Sequence, residues 1–549
     1  MRAIAEEAAT LVRKFRGAYS GEHGDGLCRG EWIRWQFGPS LYEAFRAVKN
    51  FLDPIALFNP GRIIDPPRMD DTALFRFAPP SAPSPYRTIA LEPKLDWSEW
   101  NVQNDALTGE ISAPGSGGDS TGGFAKAAEM CNNNGHCRQF DAGTMCPSFR
   151  VTRDEQHLTR GRANTLRLAL SGQLGADALT GDPLYEAMDL CVGCKACKRE
   201  CPTGVDMAKM KIEFLAHYKA RHGHGLKDQM IARLPDYATL LSRMPWLPNL
   251  RDTLPGAKWL SERLLGLSAK RSLPRWRSDT FWRLPRPSAE ASGAAALRAA
   301  AAGHKAAVLF VDTFNGTFES ENALAAVRVL RAAGYTVHAL AKDRGHYCCG
   351  RTYLSTGMVE RAKDKARELI GAAEAFARAG IAIVGLEPSC LLTLRDEALV
   401  MGMGESAAAV ASQALLFEEF ISREVRAGRF SLDFQAAEQP VLLHAHCHQR
   451  AFGAVDSTLE VLRLIPGAKP QLIDSSCCGM AGSFGYEASH HRVSMEMAEA
   501  KLLPAVRAAP DAIVVADGTS CRHQIFDGAR RAAVHSARLL ERLLPPPCA

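Results

Sequence analysis

Apolar residues recur along this chain with two periods. Across 165–174 and 207–218 they return roughly every three to four positions, the spacing that turns one face of an α-helix toward a core. From 304 onward, short apolar runs alternate with helical patterns. The first pass predicts strand 307–312, helix 321–333, strand 336–341, helix 359–379 and strand 381–386. The second predicts strand 441–445, helix 458–465, strand 470–473, helix 490–507 and strand 512–516. Each pass carries a Cys-Cys-Gly triplet after its second strand and one more cysteine after its third. These are Cys348-Cys349-Gly350 with Cys390, and Cys477-Cys478-Gly479 with Cys521. An internal repeat of strands alternating with helices predicts a tandem α/β domain built on parallel sheets, with repeats at 304–435 and 436–545.

The remainder divides on the same grounds. Residues 1–64 form a first block. It opens with a charged amphipathic helix over 1–17, holding Glu6, Glu7, Arg13, Lys14 and Arg16, and continues through the turn Ser20-Gly-Glu-His-Gly-Asp-Gly26 into an aromatic-rich helix. Prolines 66, 67, 79, 80, 83 and 85 mark 65–95 as a linker. Residues 96–225 hold two cysteine blocks with helices between them and predict an α-helical iron–sulfur domain. Residues 226–303, rich in Pro, Trp and Arg from 240 on, read as an irregular connector that ends in a short alanine-rich helix. The predicted fold class is therefore mixed: an α-helical first block, an α-helical ferredoxin-type domain and a tandem α/β Cys-Cys-Gly domain.

Composition narrows this picture. The 549 residues are 46% hydrophobic and 23% charged, ordinary for chains with buried cores. A net charge of +6 over this length gives no reason to expect a nucleic-acid partner. No apolar run approaches the roughly 18 residues that a membrane span needs, and no uninterrupted apolar core marks a secretory signal. The expected location is the cytoplasm, compatible with peripheral docking on the inner membrane. Of sixteen cysteines, only Cys28 and Cys548 stand outside tight local patterns. Clustered thiols in a long chain favour metal binding over a disulfide framework.

The run Cys191-Val-Gly-Cys194-Lys-Ala-Cys197-Lys-Arg-Glu-Cys201-Pro202 has the C-x2-C-x2-C-x3-C-P spacing of a [4Fe–4S] site. Three thiolates on one winding loop reach three irons of a cube, and the proline turns the fourth sulfur toward a second cube. A zinc site needs only four tetrahedral ligands and seldom uses this run. The block Cys131, Cys137, Cys146-Pro147 is a degraded copy, with Asn134 where the second cysteine would stand. Exchanging the fourth ligands gives one complete set, Cys191, Cys194, Cys197 and Cys146. The other set, Cys131, Cys137 and Cys201, is one ligand short. That second site would hold three irons, take Asn134 or His136 as a ligand, or stay unoccupied. Two clusters is the favoured expectation.

In the Cys-Cys-Gly repeats, vicinal thiols favour metal or redox chemistry, and the following glycine lets backbone approach the site. The second repeat can gather Cys447, Cys477, Cys478 and Cys521 around a metal or cluster. The first has only Cys348, Cys349 and Cys390, because its upstream stretch Asp312-Thr-Phe-Asn-Gly316 lacks a cysteine. His444, His446 and His448 alternate near a strand end, where a satisfied structural histidine is the ordinary outcome for at least two of them. Glu22-His23, in a turn held by glycines, suits metal ligation with proton abstraction, although spacing alone is a weak signal.

Gly21-Glu-His-Gly-Asp-Gly26, Phe37-Gly38 and Asp53-Pro through Asn59-Pro-Gly61 resemble the end of the FAD-linked oxidase C-terminal domain of D-lactate and D-2-hydroxyglutarate dehydrogenases. Cys131 to Arg167, with Gly161-Arg-Ala-Asn164, and the Cys-Cys-Gly repeats resemble the iron–sulfur half of large fused versions. The resemblance implies that Glu22 is a ligand of a divalent metal and His23 the base that removes the substrate's hydroxyl proton. It places Asn59, Pro60 and Gly61 near the flavin and makes the cysteine-rich domains a relay for electrons from reduced FAD. It also implies that Met1 falls inside the catalytic domain, so that the FAD-binding half lies upstream or on a separate chain. On that expectation this chain alone only transfers electrons, to an acceptor such as a quinone or a cytochrome, and FAD and the divalent metal belong to the complete flavoprotein. The alternative is a stand-alone electron-transfer subunit similar to those of glycolate oxidase or anaerobic glycerol-3-phosphate dehydrogenase, which lack the Glu-His remnant. Heterodisulfide reductases share the Cys-Cys-Gly domain, but the cysteine missing from the first repeat disfavours their chemistry.

Overall fold

A computed structural model describes residues 2–20, 22–71, 73, 89–101, 121–140, 143–283, 292–342 and 345–545. About half of the predicted linker, residues 72 and 74–88, lies outside the described residues. The described residues group into two compact units, those up to 73 in one and those from 89 onward in the other.

The first unit is helical: Arg2–Lys14, Gly26–Arg29, Ile33–Phe37 and Pro39–Leu52. Pro39 opens its helix where a missing N–H costs nothing. Trp32, Ile33 and Tyr42 form a small buried centre. Past the last helix the Asp53 carboxylate accepts from Leu57 N at 2.8 Å and Phe58 N at 2.9 Å, which folds the 53–61 loop back on itself.

In the second unit, helix Thr159–Leu170 starts six residues before the pattern at 165–174 and ends four before its close, while helix Met207–His222 starts where the pattern at 207–218 does and runs four residues further. Leu158, Leu166, Leu170, Leu184, Met188 and Phe214 are fully buried between them. Residues 89–97, most of which fall in the expected linker, belong instead to this core. Buried Glu213 accepts from Lys94 N, Leu95 N and Trp97 Nε1 at 2.7 to 3.0 Å and straps the segment down. The connector holds more helix than expected: Leu226–Ala232, Leu234–Leu241, Trp246–Thr253 and Ala257–Leu265. Pro235 and Pro245 sit in or just before first turns, where proline starts a helix, so the prolines that suggest irregularity are start signals.

The repeats are two four-stranded parallel sheets of identical topology. Strands β1 (Ala306–Phe310), β2 (Thr336–Ala339), β3 (Ala382–Gly385) and β4 (Ala414–Leu416) order as β2-β1-β3-β4. Strands β5 (Val441–Leu443), β6 (Gln471–Leu472), β7 (Ile513–Val515) and β8 (Ala533–Val534) order as β6-β5-β7-β8. The fourth strand of each sheet escapes the sequence pattern because three and two residues carry no readable period. The helix expected at 490–507 is broken into His491–Glu499 and Leu502–Ala508. In each sheet the order reverses between its first and third strands in sequence. Loops leaving those strand ends open a crevice where α/β folds place ligands.

Candidate iron–sulfur and metal centres

The 191–201 loop winds tightly because Gly193 and Lys195 both adopt left-handed backbone angles. Cys194 and Cys197 are buried, and Cys191 and Cys201 half-buried. Burial, with the thiols of Cys447, Cys197 and Cys191 around it, pushes Cys194 well above the ordinary thiol range. The other block is tied to this loop by Glu200, whose carboxylate accepts from Thr144 N at 2.8 Å and Met145 N at 3.0 Å. That contact fixes Cys146 at the start of helix Pro147–Thr152, where its thiol takes the Thr159 N–H at 3.1 Å. Cys146 lies beside both Cys137 and Cys197. Its bond to Cys137 pulls it below the ordinary thiol range, and the same bond pushes Cys137 up. Asn134 is exposed, and its Oδ1 accepts from His136 N at 2.8 Å. His136 Nδ1 meets Gln139 Nε2 at 3.1 Å. Both non-cysteine candidates are thus engaged in local turns.

In the second repeat Cys447 begins the helix after β5, and Cys521 lies in the helix after β7. A chain of thiol contacts runs from Cys447 through Cys477 and Cys478 to Cys521. The ligand atoms of His444, Cys478 and Cys521 all lie within 4.8 Å of one another. His444 Nδ1 meets Ser475 Oγ at 2.9 Å, which fixes the ring. Cys477 Sγ accepts the Gly479 N–H at 3.4 Å, and a Cβ on that left-handed glycine would stand 2.3 Å from Ser494 O. No residue but glycine fits there. Every cysteine among the described residues is a free thiol. Packing this many unpaired thiols together in the interior suits soft metal ions and iron–sulfur clusters, so the donor set fits the group that the spacing implies.

The first repeat copies this frame without completing it. Gly350 is again left-handed and donates to Cys348 Sγ at 3.3 Å, and Cys348, Cys349 and Cys390 form the corresponding contact chain. The pairings Leu309 with Val384 and Leu443 with Val515 put Thr313 at the position of Cys447. Thr313 Oγ1 bonds the buried His346 Nε2 at 2.8 Å. Among the described residues, no group of three His, Cys, Asp or Glu ligand atoms gathers here as it does in the second repeat.

The ferredoxin-type loop docks on both repeats. His448 Nε2 donates to Gly193 O at 3.0 Å. Lys195, 1% exposed, reaches Asp396 and Glu397 at 2.6 Å each, and Arg351 holds the other oxygen of Glu397 at 2.5 Å. Nothing in the sequence reading anticipates this ionic lock. Its only local signal is a lysine between two cluster cysteines. The structure thus gathers Cys131, Cys137, Cys146, Cys191, Cys194, Cys197, Cys201, Cys447, Cys477, Cys478 and Cys521 in one unit. In the other unit, Glu22 and His23 are almost fully exposed, with Nε2 and Oε2 4.0 Å apart. Asn59 and Gly61 flank Pro60 with left-handed angles.

Comparison with known proteins agrees along the chain. Residues 1–63 match the C-terminal domain of FAD linked oxidases, 127–205 a 4Fe-4S dicluster domain, and 312–395 and 441–526 a cysteine-rich domain. The chain is 25% identical to D-2-hydroxyglutarate dehydrogenase of Escherichia coli (strain K12) and 26% identical to that of Pantoea ananatis (strain AJ13355). Each match covers 96% of this chain and 51% of the relative. It is 27% identical to a subunit of the anaerobic glycerol-3-phosphate dehydrogenase of Escherichia coli (strain K12), over 55% of this chain and 73% of that protein. The chain spans about half the length of the D-2-hydroxyglutarate dehydrogenases it matches. The resemblance to the downstream portion of a fused FAD-linked oxidase and iron–sulfur dehydrogenase holds over nearly all its residues. Among the described residues, no helix is long and apolar enough to cross a membrane.

Proposed function

We propose that this chain is the iron–sulfur electron relay of an FAD-dependent D-2-hydroxy-acid dehydrogenase whose FAD-binding half lies upstream or on a partner chain. One observation carries the reading. The loop with the complete [4Fe–4S] spacing is held by Lys195 to the first repeat and by His448 to the second, whose thiols converge on a ligand set. Clusters there would pass single electrons, whereas hydroxy-acid oxidation releases them as a pair. Cys191, Cys194, Cys197 and Cys146 would hold one cluster. Cys131, Cys137 and Cys201 would hold a second, and Cys447, Cys477, Cys478 and Cys521 a metal or cluster in the second repeat. Most of the cysteines at these sites are buried, with Cys191 and Cys201 half-buried, and the ionic lock ties the ferredoxin-type loop to the first repeat.

The match of residues 1–63 supports roles for the first unit: His23 as the base, Glu22 as a divalent-metal ligand, and Asn59 to Gly61 beside the flavin. Phe15, Phe51 and Ile55 are each more than three-quarters exposed. Apolar exposure of this extent suits a surface that another part of the enzyme covers. The likeness to the glycerol-3-phosphate dehydrogenase subunit favours a second reading, a free electron-transfer subunit. The first unit favours the dehydrogenase. Purified without oxygen, the chain is expected to be brown, to bleach with dithionite and to show a paramagnetic signal on reduction. A colourless, zinc-loaded chain overturns the relay.

A further inference from the structure

Three histidines follow β5, and they are held differently. His446 Nδ1 accepts the His448 N–H at 3.1 Å and caps the helix that Cys447 begins. His448 Nε2 donates to Gly193 O, and its Nδ1, though buried and unpartnered, joins no group of three donor atoms. His444 is 0% exposed and fixed through Nδ1 on Ser475 Oγ, and its Nε2 is buried with no hydrogen-bond partner. A native interior seldom leaves such a nitrogen unsatisfied without a reason.

The surroundings supply the reason. A ring nitrogen of His444 and the sulfurs of Cys478 and Cys521 lie within 4.8 Å of one another, and Nε2 is the nitrogen that is free. Donors bound to one zinc ion at about 2.0 to 2.3 Å stand roughly 3.5 to 3.8 Å apart in a tetrahedron. In a cubic cluster each thiolate binds an iron of its own, which spreads the ligands further. The trio is therefore compact enough for a single ion. The backbone keeps the place clear: a Cβ on Gly518 would stand 3.3 Å from Cys521 Sγ and 2.4 Å from His446 Cδ2. The first repeat is an internal control. It has the corresponding thiols Cys348, Cys349 and Cys390, but strand register puts Phe310 where the second repeat has His444. Among the described residues, no three donors gather there.

We infer that His444 Nε2 is a ligand of one zinc ion that the second repeat holds with Cys478 and Cys521. Cys477, in contact with Cys478, supplies the fourth donor of a three-cysteine, one-histidine set. Ser475 is a positioning residue: with Nδ1–H donated to its hydroxyl, the lone pair stays on Nε2. This rests on the reading of the second repeat as a metal centre and gives that centre a structural task, because zinc does not change oxidation state. Electron transfer stays with the ferredoxin-type cysteines.

The test uses the full chain purified without oxygen, with zinc counted by plasma mass spectrometry and its ligands read by X-ray absorption at the zinc edge. About one zinc per chain is expected, with imidazole nitrogen beside sulfur in its shell. Ser475→Ala spares every ligand and should weaken zinc retention against a chelator by about 10- to 100-fold. His444→Phe installs the residue that the first repeat carries. It should remove the nitrogen signal and weaken retention by about a hundredfold or more, since a ligand matters more than the residue that orients it. A chain without zinc, a sulfur-only shell in the unaltered chain, or undiminished retention in His444→Phe each overturns the inference. Should His444→Phe not fold, the spectrum of the unaltered chain and the retention of Ser475→Ala decide. The relay reading fails separately: zinc without iron keeps this site and loses the relay, and iron without zinc does the reverse.

Discussion

The two Cys-Cys-Gly repeats share one topology, one left-handed glycine and one chain of thiol contacts, yet they have diverged in what they hold. The second has Cys447 after its first strand and His444 on the strand end, and its ligand atoms converge. The first has Thr313 at the Cys447 position, bonded to a histidine that burial holds down to about 4 and therefore neutral. What the first repeat has gained is ionic. The segment after its Cys390 helix supplies Asp396 and Glu397, which seize Lys195 from the ferredoxin-type loop. One copy thus keeps the converging ligand atoms and the other holds the ferredoxin-type loop through Lys195.

The contrast breaks most visibly at the thiols. Cys478→Ser should remove the metal or iron of the second repeat entirely. Cys349→Ser, its counterpart, should leave metal content unchanged. Iron and zinc per chain, measured by plasma mass spectrometry, decide this, and equal losses in both variants would erase the distinction.

The anchor comes next. Lys195→Met leaves two buried carboxylates facing only Lys198, Lys209 and Arg351. Breaking such a buried set from one side costs roughly 3–5 kcal/mol. Denaturant unfolding should show a loss of that order. A loss under about 1 kcal/mol, the usual worth of an exposed pair, would make the lock ornamental.

Local patterns explain how much of this is legible from residues alone. The cysteine spacings and Cys-Cys-Gly triplets each lie within a few residues, so they locate the cysteine-based centres and the stretch 312–316 where a thiol is missing, but not the buried Glu418, Asp517 and His535 cluster. That Thr313 is the equivalent residue needs the strand register, and that Lys195 meets Asp396 needs a contact across two hundred residues of chain. Strands β4 and β8 are too short to carry a period. The connector's prolines mislead because a proline signals a helix start and a break with the same letter.

Acid separates the repeats in another way. Glu319 in the first repeat pairs with Arg522 in the second. Burial pushes the Glu319 carboxyl up, but the guanidinium outweighs it and holds the group at about 2, against an ordinary 4.5. A depressed carboxyl stabilises the fold fully above the ordinary value, and that support fades as pH falls from about 4.5 toward 2. Glu319→Gln should therefore reduce stability by about 3 kcal/mol at most near neutrality and flatten its decline below pH 4.5. Unfolding midpoints measured across that range would show whether the pair links the repeats. An unchanged slope would show that this pair contributes nothing to the link, leaving it to apolar packing and to contacts such as Thr519 N with Glu387 and His535 Nε2 with Leu386 O.

The smallest effect is the most specific. Thr313→Cys would give the first repeat the thiol that strand register says it lacks. The substitution forfeits the bond to His346 Nε2, about 1 kcal/mol, and changes little else, because the position is already buried and the two side chains are close in size. If ligand number alone separates the repeats, the variant should take up about one extra zinc per chain, held by the introduced thiol together with Cys348, Cys349 and Cys390. If it folds normally and binds no extra metal, the missing thiol is not the cause. The cause would then lie in the strand end, where Phe310 occupies the place that His444 takes in the second repeat.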